Sequence, residues 1–111
     1  DVSKLENQLY FGNNEYFDEQ IRSLVENNNI QINVIFLDAK SIFQIDSSGI
    51  DTLYDIIEYL NDKGIELHIC SGMARFRHQL SKSGFTKALG PDRIHLSVHK
   101  AITQYQSKKN V

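Results

Sequence analysis

The sequence predicts an α/β domain with a mixed, mostly parallel sheet of about four to five strands and about four helices. Three observations predict it. Short strand-like runs, Val34–Leu37 and Ile65–Cys70, alternate with stretches whose apolar residues recur every three or four positions. The connections between them are short, as parallel strands joined by helical crossovers require. Val34, Ile35, Phe36 and Leu37 are consecutive apolar residues with no polar alternation, the pattern of a central strand covered on both faces.

At 111 residues the chain is expected to be one domain over 1–111, burying roughly two thirds of its unfolded surface. Hydrophobic content of 41% and charged content of 23% are ordinary for a soluble globular protein. A formal charge of −2 argues against a nucleic-acid binder that relies on general electrostatics. Cys70 is the single cysteine, which excludes an internal disulfide and fits a reducing compartment. No apolar run approaches the ~20 residues of a membrane span, and no signal peptide opens the chain. It opens on Asp1 rather than Met, so the expectation is an excised piece of something larger.

In chain order, Lys4–Phe11 is expected to be a first, edge strand, short enough to run antiparallel. Gly12-Asn13-Asn14 breaks it, and Asn13 can cap a helix whose apolar face is Phe17, Ile21, Leu24 and Val25. After Val34–Leu37, a run that Asp38 ends, comes a connector with apolar anchors Ile42, Phe43 and Ile45, then the turn Asp46-Ser47-Ser48-Gly49. Ile50, Leu53, Ile56, Ile57 and Leu60 form the buried face of the next helix, which ends at Lys63-Gly64. Ile65–Cys70 is a strand and Ser71-Gly72 its turn. Met73, Phe76, Leu80 and Phe85 mark a third helix, with Met73 and Phe76 in the core, stopped by Ser83-Gly84. Gly90-Pro91-Asp92 is a loop before a short Ile94-His95-Leu96 segment. Ser97 then caps a last helix with Val98, Ala101, Ile102 and Tyr105 as its buried stripe.

A buried strand that hands over to a helix through a polar turn is where open α/β sheets meet ligands and partners. Ser48 and Asp51 stand in the S-x-x-D relation of a capping box, so Ser48 is expected to cap the helix. Ser47 then keeps its hydroxyl at the positive end of the helix dipole. A phosphate there is favoured by about 1 kcal/mol when exposed and opposed by the neighbouring Asp46. The plain alternative is that both serines and Asp46 only cap the helix. Ser71 and Gly72, followed by Arg75, can hold an anion or a nucleotide phosphate at a helix N-terminus; a solvated basic face explains the same residues.

Other chemistries find little support. His68, His78, His95 and His99 have no metal-ligand spacing with a carboxylate or with Cys70, so no metal and no cofactor is expected. No serine sits in a nucleophile elbow and no carboxylate pair is placed for acid–base work, so the chain is not expected to be an enzyme. No phosphate-cradling glycine loop supports a nucleotide-binding domain.

VIFLDAKSIFQIDSSGI resembles the signature of the STAS domain, shared by bacterial anti-sigma-factor antagonists and the cytoplasmic tails of sulfate-permease (SulP) anion transporters. The resemblance extends through KGIELHICSG, RFRHQLSKSGF and the last helix. LYFGNNEYFDEQI resembles the strand-to-helix opening of the SulP tails, which free-standing antagonists lack. The resemblance implies a single STAS-type domain that regulates a transporter from the cytoplasmic face of the plasma or inner membrane. Its implied partners are the transporter membrane domain in cis, a second STAS copy or a cytosolic regulatory protein. In the antagonist branch the serine directly after the aspartate is the kinase target, which carries a phosphoacceptor role to Ser47, with Ser48 as the alternate. The other reading is a free-standing antagonist that binds a kinase-like anti-sigma factor.

Overall fold

Val34–Asp38 forms β1, and its two faces explain the missing polar alternation. Ile35 and Leu37 enter the main core, while Val34 and Phe36 enter a second, smaller core. All four are at most 5% exposed. Full burial of a side chain this size contributes about 1.5–3 kcal/mol, so the strand is held from both sides. The structure, a computed structural model, describes residues 14–27 and 31–109. The strand expected over Lys4–Phe11 and the cap expected at Asn13 lie outside the described residues.

The described elements follow in the order α1 (Asn14–Glu26), β1, α2 (Ser47–Asp62), β2 (Glu66–Cys70), α3 (Ala74–Lys82), α4 (Phe85–Leu89), a 3-10 turn (Pro91–Arg93), β3 (Ile94–His95) and α5 (Val98–Lys109). The described strands form a parallel sheet in the order β1-β2-β3. Within it β2 is the middle strand, and β1, expected to be central, pairs on one side with β2. Register runs from Val34 opposite Glu66 to Asp38 opposite Cys70, and Cys70 in turn lies opposite His95.

Period two along the strands divides the core. Leu67 and Ile69 join Ile35 and Leu37 on the face covered by α1, α2, α3 and α4, through Ile21, Leu53, Ile56, Leu60, Phe76, Leu80 and Phe85. On the other face Cys70 joins Val34 and Phe36 under α5, where Ala101 is buried and Val98, Ile102 and Tyr105 pack alongside. Lys63 caps α2 and Gly64 follows at φ +72°, the left-handed conformation expected of a glycine after a helix end. Ser97 Oγ accepts from the Lys100 amide at 3.1 Å, as its predicted capping role requires.

Three expectations need correction. Phe43 is 62% exposed, so of the three expected anchors only Ile42 and Ile45 are buried. Met73 is 47% exposed, because it precedes α3 as its N-terminal flanking residue and does not lie on its buried face. Phe85 belongs to a separate short helix, α4, because Gly84 at φ +85° turns the chain between them.

Candidate functional site

The in-register ends Asp38, Cys70 and His95 bring three connecting segments to one edge of the sheet. The Ala39 amide donates to the Cys70 carbonyl at 2.8 Å and the Ser71 amide to the His95 carbonyl at 3.0 Å, extending that edge. Ala39, Ile42 and Ile45 are buried and pin the connector into the core. The Ile45 amide donates to Gln79 Oε1 at 2.9 Å, so α3 holds the residue immediately before the Asp46–Gly49 turn.

Asp46, not Ser48, caps α2. Its backbone is extended (φ −96°, ψ −179°) and its Oδ1 accepts from the Gly49 amide at 2.8 Å. Helical backbone starts at Ser47, so Ser48 lies one turn position too far into the helix to cap it. The Ser48 carbonyl accepts from Thr52 Oγ1 at 3.1 Å. Ser47, Ser48 and Asp51 are exposed and Gly49 is buried. A group added to Ser47 therefore meets solvent, and it shares the positive end of α2 with the Asp46 carboxylate already bound there.

Ser71, Gly72 and Arg75 come to the same edge. Ser71 adopts φ +63°. A Cβ on Gly72 would lie 3.0 Å from Phe76 Cδ2, so packing against a fully buried ring requires glycine. Arg75 places its guanidinium 5.5 Å from the Phe43 ring centre, while Arg77 Nε donates to the Gly72 carbonyl at 3.0 Å. Arg75 is thus directed at the connector that leads to Asp46. The exposed large apolar residues Phe43, Met73 and Leu96 each follow the end of a different strand, so the edge carrying the turn also carries apolar side chains in solvent.

Two features escaped the sequence reading. Gln79 positions the turn, and only the 34-residue separation closed by the fold reveals it. The other is a buried histidine pair on the α5 face. His68 Nδ1 lies 2.9 Å from His95 Nε2, the rings stack at 5.1 Å, and both residues are at most 7% exposed. Glu66 Oε1 lies 3.3 Å from His68 Nε2, and Arg93 lies 3.5 Å from the same carboxylate oxygen. Burial pushes both imidazoles below their ordinary value; Glu66 opposes this at His68 and Asp92 at His95. His78 and His99 are exposed on α3 and α5. Among the described residues no group of three or more His, Cys, Asp or Glu is placed to hold a metal ion.

The model of the STAS domain family matches residues 2–101. Sulfate transporter 3.2 of Arabidopsis thaliana is 30% identical over 91% of this chain, and Probable sulfate transporter 3.4 of the same plant 25% over 96%. The chain spans 17% and 18% of the length of these relatives. The structure of a SulP transporter STAS domain from Vibrio cholerae matches with a TM-score of 0.76, at 20% identity, over 84% of this chain and 73% of that one. A sulfate transporter family protein from Wolinella succinogenes matches with a TM-score of 0.75, at 20% identity, over 85% and 77%. No described helix is long and apolar enough to cross a membrane. With nearly all of its length matched, this chain belongs to the STAS domain family.

Proposed function

We propose that this STAS domain is the cytoplasmic regulatory module of a SulP-type anion transporter, and that phosphorylation of Ser47 switches its docking. It acts by binding and catalyses no reaction of its own. The observation that carries this reading is the division of labour at the turn. Asp46 caps α2, which leaves Ser47 exposed at the first helical position, on the edge that also bears Phe43 and Met73. A modifying enzyme can reach such a hydroxyl without unfolding the helix, and the added charge falls where a partner would meet the apolar side chains. The relatives are sulfate transporters several times longer than this chain, which supports the membrane part of the same polypeptide as the partner.

The test begins with the complete reading frame, in which apolar spans of ~20 residues are expected upstream of Asp1. Anion uptake is then compared for full-length wild type, Ser47→Ala and Ser47→Asp at matched surface abundance. The proposal expects Ser47→Asp to change uptake and Ser47→Ala to abolish regulation by kinase treatment. Equal uptake by all three would refute the switch. A reading frame without membrane spans would transfer the domain to the antagonist branch.

A further inference from the structure

We propose that His68 and His95 form a proton-operated latch that holds α5 on the sheet and releases it on acidification. The geometry assigns the protons. The Glu66 carboxylate can only accept, so His68 Nε2 carries a hydrogen and His68 Nδ1 is bare. His95 Nε2 must therefore be the donor in the 2.9 Å contact between the rings. In this neutral chain one further proton can be added at His95 Nδ1 without breaking a bond. A second proton, on His68 Nδ1, removes the only acceptor between the rings and sets two cations 5.1 Å apart. The closed latch thus resists full protonation, whereas an opened one accepts it.

Helix α5 is the element that rests on the pair. Tyr105 packs edge-on against His68 at 5.9 Å and against Phe36 at 5.8 Å. Among the described residues, α5 otherwise meets the sheet through the small cluster of Val34, Phe36, Cys70 and Ala101 with Val98 and Ile102 packed alongside, and Lys108 pairs with Asp92 at 3.4 Å in the exposed rim. A far larger cluster holds the opposite face. A small interface opens first.

Charged groups face the pair from β2, the 3-10 turn and α5. Glu66 on β2 favours a charged His68 and Arg93 on the 3-10 turn opposes it. Asp92 favours a charged His95 and Lys108 on α5 opposes it. From β1 the neighbour is Phe36, and Cys70 lies opposite His95 in register. Each carboxylate is matched by a cation, so burial decides the balance against charge. A cavity of about 260 Å³ lined by His68, Arg93, Gln104, Tyr105 and Lys108 gives water a route to the latch without unfolding the domain.

The experiment is amide hydrogen exchange on the 111-residue chain, corrected for intrinsic rates, at about pH 7.5 and about pH 5. Protection of the Ala101–Tyr105 amides is compared with that of Leu53–Leu60 in α2. The latch predicts that protection in α5 lies below that of α2 and falls about tenfold or more at the lower pH, so that α5 opens without the rest of the domain. His95→Gln keeps a donor toward His68 and should remove most of that loss, whereas His99→Gln, exposed on α5, should leave it intact. Equal protection of α5 at both pH values would overturn the proposal, as would loss of the effect in His99→Gln alone. Should His95→Gln fail to fold, the imidazole proton resonances of wild type decide. They must titrate in step with loss of α5 protection, and ordinary titration of both histidines beneath a fully protected α5 would overturn it.

Discussion

The Ile45 amide donates to the side-chain carbonyl of Gln79 at 2.9 Å, across 34 residues of sequence. This bond joins α3 to the connector whose next residue caps α2, so the candidate switch turn is held by a helix as well as by its own cap. Ile45 is buried and the bond is part-buried, so losing the acceptor leaves the amide poorly paired.

Gln79→Leu should therefore destabilise the chain by about 1–3 kcal/mol, more than a typical substitution of a partly exposed helix residue. Denaturant unfolding measures this. A cost within about 0.5 kcal/mol, the range of neutral surface changes, would mean that the connector is held by Ile42 and Ile45 packing alone.

The cap assignment predicts an order among three alanine variants. Asp46→Ala should cost about 1 kcal/mol, and Asp46→Asn much less because it retains an acceptor. Ser48→Ala and Ser47→Ala should each cost less than Asp46→Ala. Unfolding midpoints of the set check the order, and Ser48→Ala as the most destabilising would restore the capping box.

The histidine pair predicts the pH dependence of global stability. Burial first, aided by His95 and Arg93 at His68 and by Lys108 at His95, holds both below the ordinary value of 6.5. The folded chain then binds fewer protons than the unfolded chain in mild acid. Unfolding free energy should be fully developed above 6.5 and fall as pH drops through the lowered folded-state values. Denaturant titrations across this window measure the slope, which should flatten in His68→Gln and His95→Gln. A slope unchanged in both variants would place the titration elsewhere.

Where local chemistry settles a feature by itself, the sequence was legible. Val34–Leu37 could only be a strand buried on both sides, and the Lys63-Gly64 helix end and the Ser97 cap follow from backbone preferences within a few residues. The cap of α2 was harder, because Ser48–Asp51 and Asp46–Gly49 offer overlapping three-residue relations. The position of the first helical dihedral decides between them. Helix α4 spans too few residues between Gly84 and Gly90 to show a period. The histidine pair depends on register: His68 and His95 share a face only because Cys70 lies opposite His95 in a parallel ladder.

Gly72 tests the packing beneath the second candidate segment. A methyl group there would stand 3.0 Å from Phe76 Cδ2 and 3.4 Å from Arg77 Cγ. Phe76 is fully buried and cannot retreat, so Gly72→Ala should cost about 1–3 kcal/mol as an overpacked core site. Thermal unfolding measures it. A neutral outcome would show that the turn shifts freely, and would remove the reason for glycine at this position.

Ser47→Asp separates fold from docking. The side chain is exposed at the start of α2, where negative charge is favoured by about 0.3–1 kcal/mol. The Asp46 carboxylate, already accepting from the Gly49 amide at 2.8 Å, opposes a second charge at the same helix end. These terms are similar in size and opposite in sign, so stability should stay within about 0.5 kcal/mol of wild type. A partner surface has no such cancellation, since a new charge beside Phe43 must be desolvated when that surface is covered. Binding to the proposed partner, the membrane part of a longer transporter, measured by cross-linking in membranes, should therefore change several-fold while the unfolding midpoint does not. If midpoint and binding shift together, the turn acts through the fold. If neither shifts, Ser47 is an ordinary surface residue and the docking edge lies elsewhere.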